Sequence, residues 1–106
     1  MNWVILIVAG CIEVLMALSL KESHGFSRLG PSALFVVFAV LSFGMLSYAL
    51  KTLPIGTAYA VWTGIGAVGT AMVGIVFLGE PRDAVRLISI ALIISGVVGL
   101  RFASPG

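Results

Sequence analysis

WVILIVAGCIEVLMALSL, residues 3–20, governs how the rest of the chain is read, because it is apolar from end to end except for Glu13 and Ser19. A helix crossing about 30 Å of hydrocarbon needs about 20 mostly apolar residues, with a range of about 17–25. This run meets that length. It has no basic segment before it and no A-x-A-like site before Lys21, so it is expected to be retained as a span and not removed as a signal peptide. Outward from it, a polar connector at 21–31 holds Lys21, Glu22, His24, Arg28 and Pro31. A second apolar run follows at about 33–50 and is closed by Lys51, Pro54 and Gly56. A third covers about 57–78 and stops at Gly79, Glu80, Pro81, Arg82 and Asp83; a fourth covers about 84–102. The fourth is long enough only if Arg86 and Arg101 extend their charges to the two interfaces. In lipid every backbone N–H and C=O must be paired, so only helices or closed barrels span, and these runs lack the alternation of barrel strands. The expected fold is all-α and integral to the membrane: four transmembrane helices forming a single domain over residues 1–106.

Composition demands the same solvent. Sixty per cent of residues are hydrophobic, 9% are charged, and mean hydropathy is +1.22. A soluble domain carries about 25% charged residues, because its surface must be wetted. Net charge is +2 and the six basic residues form no patch, which excludes a nucleic-acid footprint. The single cysteine, Cys11, excludes an internal disulfide and a multi-cysteine metal site, and it reads as a small apolar helix residue. His24 stands alone in a polar connector and reads as a solvated loop residue, not a metal ligand. No metal, cofactor or enzymatic centre is expected. Four spans use nearly all of the chain, so energy for work must come from an ion gradient. So small a unit offers little interior for a solvated path, and at least a homodimer, with its site at the subunit interface, is expected.

Orientation is weakly specified. Lys51 and Arg101 fall on one side of the membrane and Lys21, Arg28, Arg82 and Arg86 on the other. Positive-inside counting favours the first and third connectors in the cytoplasm. Glu80 and Asp83 flank two of those charges, so insertion in both orientations is compatible with the sequence. Residues 64–69, GIGAVG, satisfy a dinucleotide-binding pattern, but no strand precedes them. Inside an apolar helix these glycines read instead as close packing and a weak point for bending.

Glu13 is the one carboxylate at membrane depth. It lies ten residues past Trp3, about 15 Å at 1.5 Å per residue. A charge there costs about 2.5–3.5 kcal/mol on insertion scales, which marks it as functional, with a protonated, hydrogen-bonded structural glutamate as the alternative. One carboxylate can hold a proton or a cation, and each expels the other. That exclusion is the least chemistry a proton-coupled cation antiporter needs. Ala9, Gly10, Met16 and Ala17 flank Glu13 on its own face at three- and four-residue spacing. Tyr59, Trp62, Thr63 and Gly66 share a stripe on the third helix, and Tyr59 and Trp62 fit a cation site through their ring faces. They fit ordinary packing, or for Tyr59 the interfacial aromatic belt, equally well. Ser42 is the other deep hydroxyl, with a back-bond to its own helix as its alternative. Ala91, Ser95 and Gly99 recur at four-residue spacing on the fourth helix and read as a helix-association face.

Four stretches carry a family resemblance: GCIEV at 10–14, HGFSRL at 24–29 with Pro31-Ser32, LPIGTAYAVWTGIG at 53–66, and LIISGV at 92–97. Across essentially its full length the sequence resembles the small multidrug resistance transporters, and the block at 53–66 is the most specific of the four. The resemblance implies an antiparallel dimer of dual-topology subunits in the cell's inner membrane, exchanging protons for cations. It implies that Glu13 binds both proton and substrate, that Tyr59 and Trp62 are site aromatics, and that Ser42 is the hydroxyl partner of the glutamate. It further implies a third-helix kink at Gly64 and Gly66 and dimer contacts that include Ser95 and Gly96. The wording is most similar to the guanidinium exporter subtype. Those exporters usually carry tryptophan where this chain has Met16, which leaves room for substituted guanidinium or quaternary ammonium substrates. The competing readings are a dedicated quaternary ammonium exporter, a small ion channel and a non-transporting membrane subunit.

Overall fold

The computed structural model describes residues 2–103, in which four helices follow one another: α1 Asn2–Glu22, α2 Leu29–Ala49, α3 Ile55–Phe77 and α4 Ala84–Ala103. Each is long and apolar enough to cross a membrane, so the chain is an all-helical, multi-pass membrane protein.

Two helix starts correct the sequence reading. α2 begins at Leu29 and not at about 33, so Gly30 and Pro31 form its first turn. Amides in a first turn have no intrahelical acceptor, and a proline there forfeits no hydrogen bond. α3 begins at Ile55, with Pro54 extended just before it at φ −60° and ψ 139°. The Ala58 amide donates to the Pro54 carbonyl at 2.9 Å, so Pro54 and Gly56 start α3 as well as closing the run before it. The α1–α2 connector is a tight turn built on buried Ser23. Its hydroxyl donates to the Leu20 carbonyl at 2.6 Å and accepts the Phe26 amide at 3.1 Å. His24, Gly25 and Phe26 all take positive φ there, and His24 stays exposed as expected.

α1 is the central helix. It packs along both α2 and α3, which barely touch each other, while α4 packs along α3 and reaches α1 at its Arg101 end. The apolar core joins Trp3, Leu6 and Ala9 of α1 to Leu46 and Ala49 of α2 and to Ala58, Val61 and Trp62 of α3. These are the first half of α1, the last turns of α2 and the first half of α3, which together make one end of the bundle. The Asn2 side chain donates to the Thr52 hydroxyl at that same end. The Arg101 guanidinium lies 4.9 Å from the centre of the Trp3 ring, bringing the end of α4 to it as well. None of the described residues of α4 is buried.

Candidate functional site

Glu13 stands where the packed end of the bundle stops. Small residues decide its surroundings, because they let α1 and α3 approach closely. A Cβ placed on Gly10 would come within 2.7 Å of Ile65 Cγ2, and one on Gly69 would strike Val14. One on Gly66 would run into the Glu13 carboxylate itself, so the carboxylate rests directly on the α3 backbone. Its Oε1 is buried and has no hydrogen-bond partner. The rest of the group opens into a cavity of about 530 Å³, lined among others by Met16, Thr63, Gly66 and Thr70, with Lys21 and Glu80 towards the membrane surface. That volume is within the range of small-molecule sites.

The expected site residues divide into two groups. Glu13, Met16, Thr63 and Gly66 meet around the cavity. Ser42, Trp62 and Tyr59 lie one turn nearer the packed end. Trp62 is almost wholly buried, and its ring sits between Phe43 at 5.0 Å and Tyr59 at 5.5 Å between centroids. The Trp62 indole N–H donates to the Ser42 hydroxyl at 2.9 Å, and that hydroxyl donates to the Ala9 carbonyl at 2.7 Å.

This corrects two readings of Ser42. The hydroxyl does not bond back to its own helix, and it does not pair with Glu13. A hydroxyl has one proton, and here Ala9 takes it. The link to the glutamate is indirect: in an α-helix the Ala9 oxygen is also the acceptor for the Glu13 amide. Ser42 therefore anchors α2 to the backbone turn that carries Glu13. Tyr59 is about half exposed and does not line the cavity. Gly10 serves the contact with Ile65 and does not line the cavity.

α3 remains helical through Gly64 and Gly66. Gly64 admits α4: a Cβ there would lie 2.6 Å from Val97 Cγ2 and 3.5 Å from Ile93 Cγ2. α4 thus meets α3 through Ile93 and Val97. Its Ala91, Ser95, Gly96 and Gly99 are exposed, and nothing within 4 Å would meet a Cβ on Gly96 or Gly99. The Ser95 hydroxyl bonds back to the Ala91 carbonyl at 2.8 Å. Among the described residues no three of His, Cys, Asp or Glu come together as a metal site requires.

Sequence reasoning passed over Lys21, Thr70, Gly74 and Glu80 as site residues. A signal was present. The stripe singled out on α3 continues at four-residue spacing from Gly66 to Thr70 and Gly74.

A model of the family described as Small Multidrug Resistance protein matches residues 1–93. The chain is 57% identical to a guanidinium exporter of Yersinia pestis over 104 residues, 98% of this chain and all of that protein. It is 55% identical to a guanidinium exporter of Proteus vulgaris over the same shares. It is 54% identical to one of Escherichia coli K12, covering 98% of this chain and 99% of that protein.

Proposed function

The chain belongs to the small multidrug resistance family and is a multi-pass protein of the inner (plasma) membrane, and from that premise we propose that it exports guanidinium-like organic cations in exchange for protons. The observation that carries this reading is a carboxylate at membrane depth, unpartnered at Oε1 and opening into a cavity of small-molecule size. Guanidinium is a planar cation rich in donors, and an ionised carboxylate is the acceptor it fits best. A protonated carboxyl holds no such cation. Proton and substrate therefore compete for one group, and by linkage each lowers the other's affinity by the same factor. Competition at one shared group couples their movements in opposite directions. The names of relatives more than half identical over nearly the full chain support guanidinium as the substrate.

The working unit in this reading is an antiparallel homodimer. The uncovered face of α4 at Ala91, Ser95, Gly96 and Gly99 supplies its contact. Two subunits of opposite orientation bring the packed end of one beside the open end of the other, and the weak basic asymmetry of the connectors permits both orientations. Thr63 on the cavity wall and half-exposed Tyr59 contribute substrate surface in the dimer, buried Trp62 and Ser42 hold that surface from behind, and Gly64 and Gly66 give α3 its point of bending. Substituted guanidinium and quaternary ammonium ions are a second substrate class. Met16 favours them, because it lines the cavity with a soft thioether that adapts to alkyl groups.

Transport in proteoliposomes is the test. Guanidinium should drive proton movement in the opposite direction, with a quaternary ammonium ion measured beside it. Absence of guanidinium-coupled proton movement in folded wild-type protein rules the reading out. Finding only one orientation by cysteine labelling of active cells rules out the dual-topology dimer alone.

A further inference from the structure

The α3–α4 connector folds a second carboxylate into the cavity of Glu13. Gly79 takes φ +71° immediately after α3 and reverses the chain, a left-handed turn typical of glycine at a helix end. The Leu78 and Glu80 amides both donate to the Gly74 carbonyl, at 3.1 and 3.0 Å. The Glu80 side chain then lies against Gly74, where a Cβ would strike its carboxylate. Gly74 is thus the seat of Glu80 as Gly66 is the seat of Glu13. Gly66, Thr70 and Gly74 follow at four-residue spacing along one face, so the two seats are about 12 Å apart on α3, with the Thr70 hydroxyl between them. Glu13, Thr70 and Glu80 all line the one cavity, and Lys21 lines it from α1.

Stability does not account for a carboxylate at this place. The C-terminal end of a helix carries partial negative charge and favours cations. α3 has no basic residue in its last turn, and no ion pair among the described residues includes Glu80. Helix end and carboxylate together make an electronegative mouth on a cavity whose apolar walls focus the field inward.

We propose that Glu80 is the receiving residue at the mouth of the Glu13 cavity: it draws substrate cations in from the membrane surface and so sets how readily they reach Glu13, with Lys21 opposing it. This rests on the reading of the protein as a cation exporter. Glu80 is exposed and solvated, so it holds the cation only in passing, and hand-over to the desolvated, unpartnered Glu13 is favoured. Its charge acts on entry and not on the exchange at Glu13.

The test is guanidinium transport by the full-length protein in proteoliposomes at low and high ionic strength. At about 0.01 M salt the screening length is about 30 Å and spans the approach, whereas at 1 M it is about 3 Å. Glu80→Gln should raise KM about threefold to tenfold at low salt with kcat nearly unchanged, and the difference should vanish at high salt. Lys21→Gln should lower KM under the same conditions. Gly74→Ala keeps the charge but displaces the carboxylate from its seat, so it should raise KM less than Glu80→Gln does. Size-exclusion profiles check that each variant folds, and Lys21→Gln and Gly74→Ala decide the matter should Glu80→Gln fail to. An unchanged KM in folded variants overturns the inference, as does a fall in kcat alone or a KM shift indifferent to salt. Wild-type protein that moves no guanidinium defeats the export reading itself, and this inference with it.

Discussion

The packed end of the bundle and the open end are built from the same helices, yet around Trp62 the first closes on itself and beside Glu13 the second leaves a cavity of small-molecule size. At the packed end Leu6, Val61 and Trp62 meet Ala9, Ala49 and Ala58, large side chains against small ones, with almost no exposed surface. At the open end Gly66 and Thr70 present backbone and a hydroxyl to the cavity, and no large side chain fills the space. Hydropathy does not separate the two, for both lie in apolar runs. Side-chain volume at the contact does. Lipid is as apolar as leucine, so close packing and not transfer out of water holds such helices together. An end that lacks packing volume is left open, and there a carboxylate can meet a cation.

The sharpest way to divide the two ends is Glu13→Gln, at their border. Glutamine keeps the size of the side chain but binds neither a proton nor a cation charge. Coupled uptake should fall to the level of protein-free vesicles while helix content and folding stay those of the wild type. Retained proton-driven uptake would mean that the open end works without its carboxylate.

Met16→Trp alters the open end without touching the border. Met16 is one turn from Glu13 on the cavity wall, and a rigid indole there should narrow the space for alkyl groups. Quaternary ammonium transport should suffer more than guanidinium transport, by about 1–3 kcal/mol in their selectivity ratio. Uptake of both ions by the two proteins gives that ratio directly, and no change reduces Met16 to packing.

A smaller effect comes with pH. Only ionised Glu13 attracts the cation, so affinity should be constant while the group is ionised and fall as pH drops through its titration. The limit is tenfold per pH unit, about 1.4 kcal/mol. Binding titrations from pH 5 to 9 measure it; a flat profile would separate proton and substrate sites. The least effect is expected from paired truncations. Leu6→Ala removes packing from the closed end and should cost about 1–2 kcal/mol of unfolding free energy in mixed micelles, below the soluble-protein range because lipid removes the transfer contribution. Leu20→Ala, exposed near the cavity, should cost little. Equal losses would erase the distinction between the ends.

Much of this was legible beforehand. Length and hydropathy suffice to locate four spans, and the cost of a charge in lipid suffices to single out Glu13. The stripe at Tyr59, Trp62, Thr63 and Gly66 is visible as a period, but a period does not say which of its members turn inward. Trp62 went to the core and Thr63 to the cavity because successive residues point about 100° apart around a helix, and which direction is covered depends on how the helices pack against one another. Ser42 was misread for a related reason: its partner depends on which carbonyl of α1 comes within reach. Pro31 and Pro54 were taken as breakers, although a proline in or just before the first turn is as compatible with a helix start. Glu80 was passed over because a charge beyond the end of a span ordinarily faces water, and only the reversal at Gly79 brings it back.

The absence of buried residues from α4 has a consequence for the order of assembly. Chains are made from the N-terminus, at about 5–20 residues per second. Once Phe77 has entered the membrane, every buried residue of the apolar core is present, and α1, α2 and α3 can close on one another before α4 adds Val97 and Leu100 to its edge. The last helix therefore arrives at a finished three-helix body and rests its Ile93–Val97 side on Gly64. Its opposite side reaches the bilayer uncommitted. For the proposed dimer, pairing is then deferred until after each subunit has adopted its own orientation, and the choice of partner is a late, concentration-dependent step, separate from folding.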